Sequence, residues 1–189
     1  NIKRLKLLSK QEFEQSINFK LGKKNLLVTF HPVTLEDTTS KQQFSDLLTA
    51  LNKLEDTHII FTKANADTDG RVINKMIDKY VLEQPETTIA FNSLGQLRYL
   101  SAMQYVDGVV GNSSSGLLEA PSFKIGTVNI GDRQRGRVKA SSIIDSISTE
   151  ESVASALKKL FSQEFSNSVK QTVSPFGNGG VAEKIVKII

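Results

Sequence analysis

The feature that most constrains this chain is a repeated alternation of short apolar runs with longer amphipathic stretches. Runs of about five mostly apolar residues are buried on both faces, as in a parallel sheet. The amphipathic stretches between them then supply the helices that cover those faces. The runs are Asn25–Phe30, His58–Thr62, Thr87–Phe91, Val106–Val110 and Gly126–Ile130. Ahead of the first, Ser9-Lys10-Gln11-Glu12 has the spacing of a capping box and predicts a helix through about Phe19. Thr38 or Thr39 can cap a helix whose Phe44, Leu47, Leu48, Leu51 and Leu54 form one apolar stripe. After a polar loop from Lys63 to Gly70, Val72, Ile73, Met76, Ile77 and Tyr80 form another, ending near Pro85. Leu94–Met103 and Ser115–Pro121 are predicted as further helices.

Beyond Gly131 the pattern changes. Arg133, Arg135, Arg137 and Lys139 fall within seven positions, Ile143-Ile144 follows, and helices are predicted near Thr149–Phe161 and Ala182–Ile188 with no further strand unit evident. The expected fold is one α/β domain, a three-layer α/β/α Rossmann-like arrangement with five or six parallel strands.

Composition narrows the function classes. A length of 189 residues fits a single domain with a real core, and 39% hydrophobic with 23% charged residues excludes a disordered polar tract. No apolar run approaches the ~20 residues that span a bilayer, so no membrane association is expected. The net charge of +4 suits an anionic ligand but not a polybasic nucleic-acid binder. The four cations at 133–139 also lack the interleaved aromatics of a single-strand platform, so no nucleic-acid partner is expected. With no Cys, disulfides, thiolate zinc sites and cysteine nucleophiles are excluded, and His31 and His58 alone cannot build a histidine-rich metal site. The chain opens at Asn1 with neither Met nor a leader and is read as a fragment of a cytoplasmic protein.

Open parallel sheets bind ligands at the carboxyl ends of their strands. There the chain places His31-Pro32-Val33-Thr34, then Lys63-Ala64-Asn65-Ala66-Asp67, Asn92-Ser93, the loop from Gly111 through Ser113 and Ser114 to Gly116, and Gly131-Asp132-Arg133. The small residues of the fourth loop would leave N–H groups and hydroxyls facing out at a helix start, an arrangement that binds phosphate. The loop matches neither the dinucleotide fingerprint nor the Walker A pattern, and it equally fits a capping turn with Ser113 or Ser115 as cap. Arg133 can give a two-pronged contact to the same anion or be a solvated cation. Glu119 suits sugar hydroxyls better than a phosphate it would repel, and is otherwise a surface carboxylate. His31, biased to extended backbone by Pro32, stands at the crevice either as an anion contact or as a structural residue. His58, at the start of its strand, is read as structural, and Asp67 can simply organise its turn.

In this order, HPVT, KANAD, VGNSSSGLLEAP and VNIGDRQRGR resemble the carboxyl-terminal half of UDP-N-acetylglucosamine 2-epimerases over roughly residues 25–140. The dense GNSSSG...E...GDRQRGR stretch is closer to the hydrolysing, sialic-acid-pathway branch. The resemblance implies one half of a glycosyltransferase-B arrangement, with UDP held mainly by this half and the amino-terminal domain absent. It makes His31 and Arg133 diphosphate contacts and leaving-group stabilisers, places Ser113 and Ser114 at the anion site, and makes Glu119 the ribose acceptor. Asn65 would lie near the nucleotide and Leu94 beside the uracil. It implies UDP and UDP-N-acetylhexosamine as ligands, no cofactor or metal, and a homo-oligomer when full length. The acid-base carboxylates would belong to the other domain, so little epimerase activity is expected of this chain alone. Ser174-Pro175-Phe176-Gly177-Asn178-Gly179 resembles the small-residue segment before the family's terminal helix. Two other readings keep the nucleotide site: the donor domain of a glycosyltransferase, and a non-enzymatic nucleotide-sugar sensor.

Overall fold

The computed structural model describes residues 5–33, 39–65 and 68–177. The chain runs α1 (Lys10–Ile17), β1 (Lys24–Thr29), α2 (Ser40–Leu51), β2 (Thr57–Thr62), α3 (Thr68–Glu83), β3 (Thr88–Phe91), α4 (Gly95–Ala102) and β4 (Gly108–Gly111). It continues through α5 (Ser115–Leu118), a 3-10 turn at Ala120–Phe123, β5 (Gly126–Ile130), β6 (Ile143–Ser146), α6 (Glu150–Leu160) and α7 (Gln163–Val169).

The strands form one parallel sheet in the order β3-β2-β1-β4-β5-β6. The chain winds outward from β1 to β3, then crosses back to lay β4 on the other side of β1. Winding direction therefore reverses between β1 and β4, and crevices at such a reversal are where doubly wound sheets bind ligands.

Central strand β1 shows why both faces need cover. Leu26, Val28 and the following Phe30 enter one core with Phe44, Leu47, Ile73, Ile77 and Leu157, whereas Leu27 enters a second with Phe13, Ile60, Leu94 and Met103. All are essentially inaccessible to solvent, each contributing about 1.5–3 kcal/mol by transfer from water. Helix ends obey local chemistry. Ser9 and Glu12 complete the capping box of α1, and the Thr39 and Thr149 hydroxyls accept from Gln42 and Ser152 N–H groups at the starts of α2 and α6. In α6, Glu150 and Glu151 in the first turn and Lys158 and Lys159 in the last complement the helix dipole.

Four local differences from the sequence expectation have physical causes. Ile143–Ser146 is a sixth strand, paired with Thr127–Ile130. It is a short edge strand in which only two isoleucines precede Asp145 and Ser146, so its apolar signal is weak. α7 also goes beyond the predicted elements, with the Ser162 hydroxyl capping Phe165 N–H and Phe165 and Val169 buried. α3 starts at Thr68, inside the expected loop, and Val72 of its expected stripe is 38% exposed. The helix expected to reach Pro121 ends at Leu118, because a proline inside a helix has no N–H to donate and crowds the preceding turn. Thr34, Thr38, Ala66, Asp67, Asn178-Gly179 and the helix expected at Ala182–Ile188 lie outside the described residues.

Candidate functional site

A cleft of about 390 Å³ opens at the carboxyl ends of β1 and β2, beside the start of α4. Thr29 and Thr62 end the two strands in its wall, Leu94 and Tyr99 come from α4 and its cap, and His31 and Glu119 reach it from the loop after β1 and the end of α5. The expected residues His31, Leu94 and Glu119 thus share one cavity.

Beside it, Asn112 ties three loops together. Its side-chain Oδ1 accepts from His31 N–H at 2.8 Å while its Nδ2 donates to the His31 carbonyl at 2.8 Å. This two-bond clamp holds the loop after β1 in extended form. The Asn112 carbonyl in turn accepts from Arg133 Nη1 at 3.1 Å and from Gln134 Nε2 at 2.8 Å, recruiting the loop after β5. Asn112 itself is 1% exposed. The sharp turn that carries it depends on Gly111, whose φ is +131° and whose Cβ, if present, would lie 1.9 Å from the Thr29 carbonyl oxygen.

Ser113 and Ser114 follow directly, half-buried at the start of α5. Their expected setting differs in two respects. α5 has only four residues, so its dipole is that of a single turn, and anion binding there would rest on individual N–H and O–H groups. The cap position is Ser114, whose side chain makes no capping bond, while Ser113 Oγ takes a 3.4 Å bond from Ser115 N–H. Arg133 is exposed and spends one guanidinium N–H on the Asn112 carbonyl, so a two-pronged ligand contact would have to use its remaining donors. Asn65 is exposed on the loop after β2 and does not line the cleft. Among the expected contacts, then, Ser113, Ser114 and Arg133 stand around Asn112 at the cleft's side, and Asn65 stands apart.

His58 sits at the opposite end of the sheet, its Nδ1 bonded to the Lys20 carbonyl at 2.9 Å and its ring against Phe19. A Cβ on Gly22 would come within 2.5 Å of that ring, so the imidazole fills a built niche as a structural residue.

Sequence reasoning passed over Asn112, Gln134, Tyr99, Thr29 and Thr62 as individual residues. Ser115 Oγ donates to the Tyr99 hydroxyl at 2.8 Å, and the Thr29 and Thr62 hydroxyls are bonded to each other. Burial pushes the Tyr99 phenol above its ordinary range, the Ser115 and Thr29 hydroxyls oppose that shift, and the nearby Glu119 charge adds to it. It is therefore a neutral donor at neutral pH. Asn112 was visible as a polar residue at a strand end, but the two hydroxyl pairs join residues 16 and 33 positions apart, and no local pattern reports them.

Among the described residues no group of three His, Asp or Glu side chains could hold a metal ion, and no helix is long and apolar enough to cross a membrane. The cleft offers hydroxyls, a carboxylate and an imidazole, with guanidinium and serine donors at its side. That donor set suits a ligand with hydroxyls at one end and an anion at the other.

A family model described as UDP-N-acetylglucosamine 2-epimerase matches residues 2–189. The chain is 39% identical over 186 residues to a Campylobacter jejuni protein named GDP/UDP-N,N'-diacetylbacillosamine 2-epimerase (hydrolyzing), covering 98% of this chain and 48% of that protein. It is 35% identical to an Escherichia coli polysialic acid biosynthesis protein P7, covering 98% and 47%. The chain thus spans about half the length of these curated relatives. Its fold is similar to that of S. aureus MnaA in a co-structure with UDP, with a TM-score of 0.71 at 16% identity over 94% of this chain and 47% of that one. It is also similar to the C-terminal domain of a Francisella tularensis group 1 glycosyl transferase, with a TM-score of 0.59 at 16% identity over 93% and 94%, a likeness of fold alone. A family match over nearly the whole chain, together with close relatives along 98% of it, places this chain in the UDP-N-acetylglucosamine 2-epimerase family.

Proposed function

We propose that the chain is the UDP-binding half of a hydrolysing 2-epimerase acting on a UDP-linked 2-acetamido sugar. The observation that carries this reading is the Asn112 clamp, which holds the His31 loop and the Arg133 loop together beside a cleft that also receives Leu94 and Glu119. In the proposed pose the uracil lies against Leu94, with its edge read by neighbouring backbone groups. Glu119 accepts from the ribose hydroxyls. The diphosphate meets His31, Ser113, Ser114 and Arg133, while Asn65, which does not line the cleft, takes no part in this pose. The C. jejuni relative's name carries a diacetylated sugar, which supports an acetamido hexose as the class of substrate.

In the whole enzyme a base removes the proton at sugar C2, UDP departs to leave a 2-acetamidoglucal, and water adds to release N-acetylmannosamine. His31 and Arg133 stabilise the charge that develops on departing UDP. The acid-base groups are assigned to an amino-terminal domain, and this chain is the carboxyl-terminal half. Without a positioned base, binding the leaving group leaves the proton-transfer barrier in place. Titration with UDP, UMP and UDP-N-acetylglucosamine tests the reading. UDP is expected to bind more tightly than UMP, and UDP-N-acetylglucosamine to bind without release of free sugar. No response to millimolar UDP would refute it.

A further inference from the structure

Tyr99 brings into the cleft a phenol whose oxygen is already supplied and whose proton is not. Its ring packs against the second core, the cluster that holds Leu94, Leu100 and Met103. The hydroxyl oxygen accepts from Ser115 Oγ at 2.8 Å, a bond that ties it to the one-turn helix α5. Among the described residues the phenol donates to no acceptor, and the Thr29 and Thr62 hydroxyls in the cleft wall are engaged with each other. Burial raises the pKa of the phenol, so the proton stays on its oxygen at neutral pH. Glu119 lines the same cleft. A carboxylate only accepts, whereas a phenol whose oxygen is taken by Ser115 offers its proton. The pair therefore matches a group that donates and accepts at once, as a hydroxyl does. A phosphate oxygen would suit Tyr99 but be repelled by Glu119, and Ser113, Ser114 and Arg133 stand apart at the cleft's side to meet it.

We propose that the Tyr99 phenol donates to a ribose hydroxyl whose own proton goes to Glu119, an assignment that rests on the nucleotide reading above. Tyr99 is then a specificity residue that favours ribonucleotides over their deoxy analogues. The two side chains read one hydroxyl in both of its roles. Without that hydroxyl, the phenol proton and the carboxylate both lose a partner inside the cleft, and a site built around a hydroxyl rejects the analogue lacking it for that reason. Leu94, which caps α4, and Tyr99, farther along the same helix, meet the base and the sugar of one nucleoside. Ser115 serves this contact indirectly, by holding the phenol oxygen so that its proton is left for the ligand.

The test is titration of UDP, 2'-deoxy-UDP and 3'-deoxy-UDP into the wild-type chain and Tyr99→Phe. Wild type is expected to bind UDP about tenfold or more tightly than at least one of the deoxy analogues. Tyr99→Phe is expected to weaken UDP by about three- to tenfold, the scale of one hydrogen bond, and to leave that analogue within about twofold of its wild-type affinity. An unchanged UDP affinity in Tyr99→Phe, a wild type that prefers UDP to neither analogue, or an equal loss for all three ligands overturns the assignment while leaving the nucleotide reading intact. A wild-type chain that fails to bind UDP overturns both. Circular dichroism checks the fold of the variant. Should it unfold, Ser115→Ala takes its place, because it frees the phenol to turn away from the ligand. The same selective loss of UDP is then expected, and a loss that is absent or equal for all three ligands again overturns the assignment.

Discussion

At the scale of single residues, Asn112 does more for the site than any residue that would touch the ligand. Its amide satisfies both the N–H and the carbonyl of His31, and its own carbonyl gathers Arg133 and Gln134. Replacing it with Ala leaves those backbone groups to partial hydration. Asn112→Ala is expected to cost about 2–3 kcal/mol of stability in urea unfolding, and to weaken UDP at least about tenfold by freeing the His31 loop. A variant of wild-type stability and affinity would show that the clamp is incidental. Arg133→Ala removes a charged donor from the proposed diphosphate contact. Because the guanidinium is exposed and screened, the expected loss of UDP affinity is about 1.5 kcal/mol, the low end for a charged hydrogen bond, and it should shrink as salt is raised. An affinity equal to wild type at low salt would remove Arg133 from the site. His31 and Arg133 were legible in the sequence as polar residues shortly after apolar runs, and Glu119 as a carboxylate one short helix beyond the serine loop. What holds them was not, since a clamp between residues 31 and 112 has no local signature.

At the scale of elements, β6 shows how a strand can be hidden. It has the isoleucines of a strand but buries only Ile144 and Ser146, and it is held partly by charge. Asp145 accepts from Lys139 Nζ through both carboxylate oxygens at 2.8 Å and from Asn129 Nδ2 at 2.7 Å. Partial burial alone would raise its pKa, but these hydrogen bonds outweigh it and hold the carboxyl below its ordinary value of 3.8. A carboxylate depressed in the folded state contributes stability that is present above its unfolded value and lost as pH falls through the folded one. Wild type is therefore expected to lose stability relative to Asp145→Asn as pH drops from about 5 to below 3.8, in paired urea unfolding curves. Parallel pH profiles for the two proteins would sink this assignment. Helix α1, by contrast, was legible to the residue at its start, because a capping box is written in four consecutive positions.

At the scale of the whole molecule, the proposed division of labour is that this half binds the nucleotide and the chemistry needs the other half. Saturating UDP is therefore expected to raise the thermal midpoint of the isolated chain, since a ligand that binds only the folded state stabilises it by mass action. Prolonged incubation with UDP-N-acetylglucosamine should yield no N-acetylmannosamine by NMR, and turnover by this chain alone would place a catalytic base within it. The layered α/β class, five of the six strands and the polar loops at their carboxyl ends were all written in the sequence. Short apolar runs, period-3.6 stripes, caps and turn residues act between near neighbours and are written along the chain. The strand order, the edge strand at Ile143–Ser146, the clamp on His31 and the hydroxyl pairs Ser115–Tyr99 and Thr29–Thr62 were settled by tertiary contacts alone. Those features depend on which polar groups meet after distant strands have paired, and each group takes whatever partner burial leaves within reach.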